Sequence, residues 1–285
     1  MDSLYKSEQG KKEILSLYDQ KLDELNIEFE YLKIDSTFGE TNIIVTGISS
    51  NPPIIIVHGS NGCAPIALET YPNLCKDFRV YAIDILAQPN KSAETRLNMK
   101  DDSYGKWINE IINSLEIENV IMAGFSFGGL VILKTLEFNE SKIKEVYLSA
   151  PAYIVNGNPL KALFKIFIPM KRFMKTKKTK YVEKFLCEVF TERDEFAIKY
   201  LSKVFLYFNM DFTPVPVINK IKANSIKTPI TLIGAQNDIL FPGVKMIKRA
   251  SQIFPSLKTH ILLQNSKHVQ SKKDNLVIEN IILNK

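Results

Sequence analysis

One segment of the chain combines a nucleophile with the geometry that would expose it: Gly124-Phe125-Ser126-Phe127-Gly128-Gly129. The apolar run Val120-Ile121-Met122-Ala123 leads into it, and a helical pattern over 130–138 leads out. A G-x-S-x-G sequence between strand and helix makes a tight, strained turn that lifts the serine hydroxyl clear of the backbone. Gly124 and Gly128 flank the turn because a Cβ there would collide where strand and helix approach. The N–H of Phe127 then opens a helix, where the dipole favours an anion. The alternative is a glycine-rich turn whose serine is incidental.

A serine hydroxyl needs a base. The chain has 3 histidines, so the base can be sought by elimination. His58 follows a strand in His58-Gly59-Ser60-Asn61-Gly62, and its imidazole is expected to brace that loop. His260 falls early in the last strand pattern and is expected to be structural. His268 lies in a loop past the carboxyl end of that strand, the edge where Ser126 must sit, and is the expected base. The third member should follow the preceding strand and orient the imidazole. Asp238, in Gly234-Ala235-Gln236-Asn237-Asp238, occupies that place; its competing role is an Asx turn, which Asn237 could serve equally well. The order Ser126, Asp238, His268 is nucleophile, acid, base. A second oxyanion donor is expected from the N–H of Ser60, paired with that of Phe127.

Elements must hold these groups together. Residues 54–57, 80–83, 120–123, 146–148, 230–233 and 261–263 are continuous apolar runs, expected as strands buried on both faces. Helical patterns over 104–115, 130–138 and 244–254 lie between them, the alternation of an α/β doubly wound sheet. Such sheets place sites at the carboxyl ends of their strands. Residues 7–25 read as an amphipathic leading helix, and 29–34 and 42–46 as a hairpin. Residues 152–225 break the alternation: they read as helices rich in Phe, Tyr and Lys, broken at Pro169, Pro214 and Pro216.

These motifs resemble the α/β-hydrolase superfamily. His58-Gly59, Gly124-x-Ser126-x-Gly128-Gly129, Gly234-x-x-x-Asp238 and the late His268 carry the resemblance. The segment from Asp84 to Ser92 is similar to the family's Asp-x-x-Gly-x-Gly-x-Ser, with Ala87 and Pro89 in place of the glycines. The resemblance implies an α/β-hydrolase fold with a mostly parallel eight-stranded sheet flanked by helices. It implies a helical cap, 152–225, inserted after the sixth strand between core segments 1–151 and 226–285. The opening Lys6-Ser7-Glu8-Gln9-Gly10-Lys11-Lys12 and the hairpin look like a bacterial carboxylesterase-like branch. The expected reaction is hydrolysis of small apolar carboxylic esters through an acyl-enzyme. Thioester, lactone or C–C hydrolysis, acyl transfer and perhydrolysis at the same triad stay open, as does a non-catalytic receptor. Ser126 at the elbow excludes the aspartate and cysteine branches. Asn61, Phe125, Phe164 and Phe167 are the expected substrate contacts.

The remaining sequence sets boundaries. No nucleotide-loop or metal motif occurs, so no cofactor and no metal are expected. Cys63, Cys75 and Cys187 form no C-x-x-C pair, which argues against a disulfide framework or zinc site. The polar opening and the lack of a long apolar run point to a cytoplasmic protein; the sequence does not choose between monomer and homodimer. The net charge of +6 first suggests an anionic partner. Its location narrows that: residues 158–180 carry eight basic residues and no acid, so the remainder sums to −2. Nucleic acid is not expected, because no recognition motif accompanies the charge. Leu160, Leu163, Phe164, Phe167 and Ile168 recur at helical spacing, with Lys161 and Lys165 on the other side. The preferred reading packs that apolar stripe on the active site with its lysines solvated; a weak membrane-surface contact is the second.

Overall fold

The structure, a computed structural model, describes residues 3–284. Eight strands form one sheet: β1 (Phe29–Ser36), β2 (Gly39–Thr46), β3 (Pro53–Val57), β4 (Arg79–Ile83), β5 (Val120–Phe125), β6 (Ile143–Ser149), β7 (Ile230–Ala235) and β8 (Leu257–Leu263). Their order is β1-β2-β4-β3-β5-β6-β7-β8. β1 pairs antiparallel with β2, and β2 antiparallel with β4; every later pairing is parallel. The helices are α1 (Glu8–Glu24), α2 (Ala64–Thr70), α3 (Leu74–Asp77), α4 (Ser103–Ser114), α5 (Phe127–Phe138), α6 (Pro159–Ala162), α7 (Ile168–Thr176), α8 (Lys180–Val189), α9 (Glu195–Tyr207), α10 (Lys220–Ser225), α11 (Gly243–Ile253) and α12 (Lys272–Ile282).

The two-residue side-chain period explains why central strands are apolar throughout. On β3, Ile55 and Val57 join a core with Trp107 and Ile111 of α4, Leu130 of α5 and Met246 of α11. Ile54 and Ile56 face the other way, onto Ile14 and Tyr18 of α1, Leu68 of α2 and Ile278 of α12. Each fully buried aliphatic side chain contributes roughly 1.5–3 kcal/mol. β8 departs from the expectation of burial on both faces: only Leu263 is buried, because β8 is an edge strand. His260 on it is solvent-exposed rather than a packed structural residue.

Between β6 and β7 the chain forms α6 to α10. Val182 and Leu186 of α8 and Ile198 and Val204 of α9 share the apolar cluster of α1 and the sheet. α1 starts at Ser7, whose hydroxyl caps the Gly10 N–H. It lies so close to α9 that a Cβ on Gly10 would come within 2.4 Å of the Tyr207 Cβ.

The expected apolar stripe is corrected. Pro169 does not break the helix; α6 and α7 run together through a π-helical turn, Leu163–Phe167. A proline ring inside an α-helix clashes with the carbonyl four residues back, and a wider turn relieves that clash. Ile166, Pro169, Met170 and Phe173 are buried instead. Leu160 and Phe164 are each 64% exposed and Leu163 is 43% exposed, so none packs on an active site. Phe167 is half-buried, its ring 6.1 Å from that of Phe212.

Candidate active site

Ser126 sits between β5 and α5 with φ 53° and ψ −114°, a conformation that costs a non-glycine residue about 1–3 kcal/mol. Backbone bonds hold it there. Its N–H donates to Ser149 O at 3.0 Å, and its own carbonyl accepts from Gly129 and Ala152, both at 2.9 Å. Gly128 is required by proximity: a Cβ would lie 2.2 Å from the Val57 carbonyl oxygen. A Cβ on Gly124 would meet the Ile132 Cδ1 at 2.6 Å.

The structure brings Ser126, Asp238 and His268 together. His268 Nε2 accepts from the Ser126 hydroxyl at 2.9 Å, and its Nδ1–H donates to Asp238 Oδ2 at 2.7 Å. The carboxylate fixes that tautomer. All three residues are buried. The other Asp238 oxygen accepts the N–H groups of Leu240 (2.7 Å) and Phe241 (3.0 Å). Asp238 therefore makes its own Asx turn and faces His268 as well, so its two competing roles coexist. Burial works to raise its carboxyl. The charge and hydrogen bond of His268, aided by the two N–H groups, outweigh burial and hold it below its usual range.

The β3–α2 loop lies against the serine: a Cβ on Gly59 would be 3.3 Å from the Ser126 Cβ. Among the described residues, Ser60 makes no hydrogen bond. Phe127 is the first residue of α5 and so has no helical acceptor for its N–H. The residue after Ser60, Asn61, holds φ 57°, and its N–H donates to Gln88 Oε1 at 2.7 Å. The Phe125 ring packs 5.0 Å from the His268 ring, with Phe241 at 5.5 Å. Among the described residues no group of three or more His, Cys, Asp or Glu could hold a metal ion, and the three cysteines are unpaired.

A family model described as "alpha/beta hydrolase fold" matches residues 52–191. The crystal structure of naproxen esterase (carboxylesterase NP) from Bacillus subtilis superposes with a TM-score of 0.84 over 98% of both chains, at 20% identity. The chain has the α/β-hydrolase fold.

Carboxylesterase CesB (YbfK) of the same species superposes with a TM-score of 0.82 at 19% identity, over 96% of this chain and 97% of that one. In sequence, "Uncharacterized carboxylesterase nap" of Bacillus subtilis (strain 168) is 22% identical over 272 residues, 89% of this chain and 85% of that protein. "Carboxylesterase YbfK" is 32% identical over 138 residues, covering 47% and 46%.

In this α/β-hydrolase a buried polar scaffold backs the loop. His58 Nδ1–H donates to Gly59 O at 2.7 Å, and its Nε2 accepts from the Ile85 N–H at 3.0 Å. Burial pushes its pKa down to about 4, the bond to Gly59 opposing, so the ring is neutral at neutral pH. Asp84 accepts the Ala64 N–H at 2.7 Å, the Tyr18 hydroxyl at 2.9 Å and the Asn42 amide at 2.8 Å. Burial nonetheless raises its carboxyl to about 6. Ala87, where the family has glycine, holds φ 56°, so the left-handed turn survives without the glycine.

The hydrolase also uses residues that periodicity gave no sign of. Thr191, just past α8, accepts the Lys267 N–H at 2.9 Å and donates its hydroxyl to Val269 O at 2.7 Å. Its backbone N–H bonds Val269 O, and Val269 N–H bonds Val189 O, both at 2.9 Å. The segment between β6 and β7 thus grips both neighbours of His268. Gln88 plays the matching part for the β3–α2 loop. No local pattern marks either residue, since each acts on a segment far along the chain.

Proposed function

We propose that this hydrolase is a carboxylesterase that works through an acyl-enzyme on Ser126. The observation that carries the reading is the continuous hydrogen-bonded chain Ser126–His268–Asp238 at a strained strand-to-helix turn. The naming of its relatives as carboxylesterases supports the same reading. Ser126 Oγ attacks the ester carbonyl while His268 Nε2 takes its proton. Asp238 holds the imidazole in the required tautomer and balances the imidazolium that forms. The N–H groups of Phe127 and Ser60 receive the oxyanion, where the α5 dipole adds positive potential. His268 passes its proton to the departing alcohol, then deprotonates a water that releases the acid. The Phe125 ring beside His268 favours apolar acyl or alcohol groups.

Replacing Ser126 with alanine removes the nucleophile alone. Turnover of short p-nitrophenyl esters should fall by about four powers of ten or more. Covalent labelling by a fluorophosphonate should vanish with it. A Ser126→Ala protein that keeps its esterase activity would sink the assignment. A panel of acyl donors with product analysis separates esters from thioesters and lactones.

A further inference from the structure

The helical run 158–180 contains features that the proposed chemistry does not use. Its eight basic residues are all exposed, and there is no acid among them. Lys165 pairs with Glu188 at 2.7 Å. Among the described residues, Lys161, Lys171, Arg172, Lys175, Lys177 and Lys178 make no ion pair. On the same run Leu160, Leu163 and Phe164 stand in solvent, and the 53% exposed ring of Phe212 contacts Phe167. Ile166 and Met170 of the run are buried, and these apolar residues lie uncovered beside the cations.

We infer that this helix face docks on an anionic lipid surface. Two groups of residues have to be satisfied at once. Unpaired lysines and arginine attract headgroup phosphates, and their long stems let the charge reach water while the chain lies flat. The aliphatic and phenyl side chains need an apolar phase a few ångströms deeper. A nucleic acid would neutralise the cations but leave Leu160 and Leu163 in water. A second copy of the chain would cover the apolar groups but bring like charges together. Of these three, the anionic bilayer satisfies both groups. The placement is independent of the ester chemistry and would bring the enzyme to esters dissolved in lipid.

The test is co-sedimentation of the full chain with phosphatidylcholine vesicles, with and without phosphatidylglycerol, across a salt series. Binding is expected only to the anionic vesicles and should be lost as salt rises. The triple variant Lys161→Glu, Lys171→Glu, Arg172→Glu should weaken it by about a hundredfold or more. Leu160→Ser with Leu163→Ser should weaken it by about tenfold. Both variants should keep the parent's circular dichroism and its turnover of soluble esters. The proposal is overturned by absence of binding at low salt or by equal binding to neutral vesicles. It is also overturned if the leucine variant binds like the parent, if duplex DNA binds as tightly as vesicles, or if Leu160 and Leu163 instead drive dimerisation in sedimentation velocity.

Discussion

Thr191 shows how much of this site depends on single polar groups distant in sequence. Its hydroxyl bonds both flanks of His268, donating to Val269 O and accepting from Lys267 N–H. Losing it frees the loop without touching the imidazole, and displacement of a catalytic group by about 1 Å can cost roughly a hundredfold. Thr191→Val should therefore lower kcat by about ten- to a hundredfold while KM moves little, and Thr191→Ser should restore most of it. Steady-state kinetics on one soluble ester decides; equal loss in the Val and Ser variants would mean that packing, not the hydroxyl, matters. Asp238 is a second case. Its two oxygens divide between an Asx turn and His268, so one residue both shapes the loop and orients the imidazole.

At the scale of elements, the turn between β5 and α5 depends on how closely α5 approaches β3. The Gly128 Cα faces the Val57 carbonyl with no room for a methyl group. Gly128→Ala must push α5 away from the sheet or distort the Ser126 backbone. A loss of about 3 kcal/mol or more in unfolding free energy is expected, measured by urea denaturation, with activity falling alongside. The helix through Pro169 teaches the converse lesson. The spacing of Leu160, Leu163, Phe164, Phe167 and Ile168 assumes 3.6 residues per turn throughout. The π-helical turn breaks that count, and Ile166, Pro169, Met170 and Phe173 form the buried face instead.

For the whole molecule, two buried groups near the β3–α2 loop set opposing dependences of stability on pH. His58 is held at about 4, against an ordinary 6.5, by burial. The unfolded chain takes up its proton near 6.5 and the folded chain only near 4, so stability is lost as pH falls through that window, by up to about 3 kcal/mol. Asp84 is raised from 3.8 to about 6. Its contribution is full below 3.8 and is lost as pH rises through 6, opposing His58 across the overlap. His58→Asn leaves Asp84 alone. Relative to the parent, this variant should gain about 3 kcal/mol on going from pH 7 to pH 4 in urea unfolding. A difference between the two proteins that does not change with pH would remove His58 from the account.

The three residues that the fold brings together, Ser126, Asp238 and His268, and the strands that carry them have local marks along the chain. A buried parallel strand is a short apolar run, and the turn after β5 needs glycines at fixed offsets from Ser126. Elimination among three histidines points to His268, which the fold sets 2.9 Å from Ser126. The tertiary structure alone decided which faces are buried and which distant groups support the site. β8 carries an apolar pattern yet lies at an edge, because strand order is not a local property. Leu160 and Phe164 have the spacing of a core stripe yet stand in water, because what covers a helix face comes from elements distant in sequence. Thr191 and Gln88 have no signature, because a hydrogen bond across 76 or 27 residues leaves none in either neighbourhood. The basic run divides in the same way: its +8 is plain in the sequence, but only the fold leaves its leucines uncovered beside it.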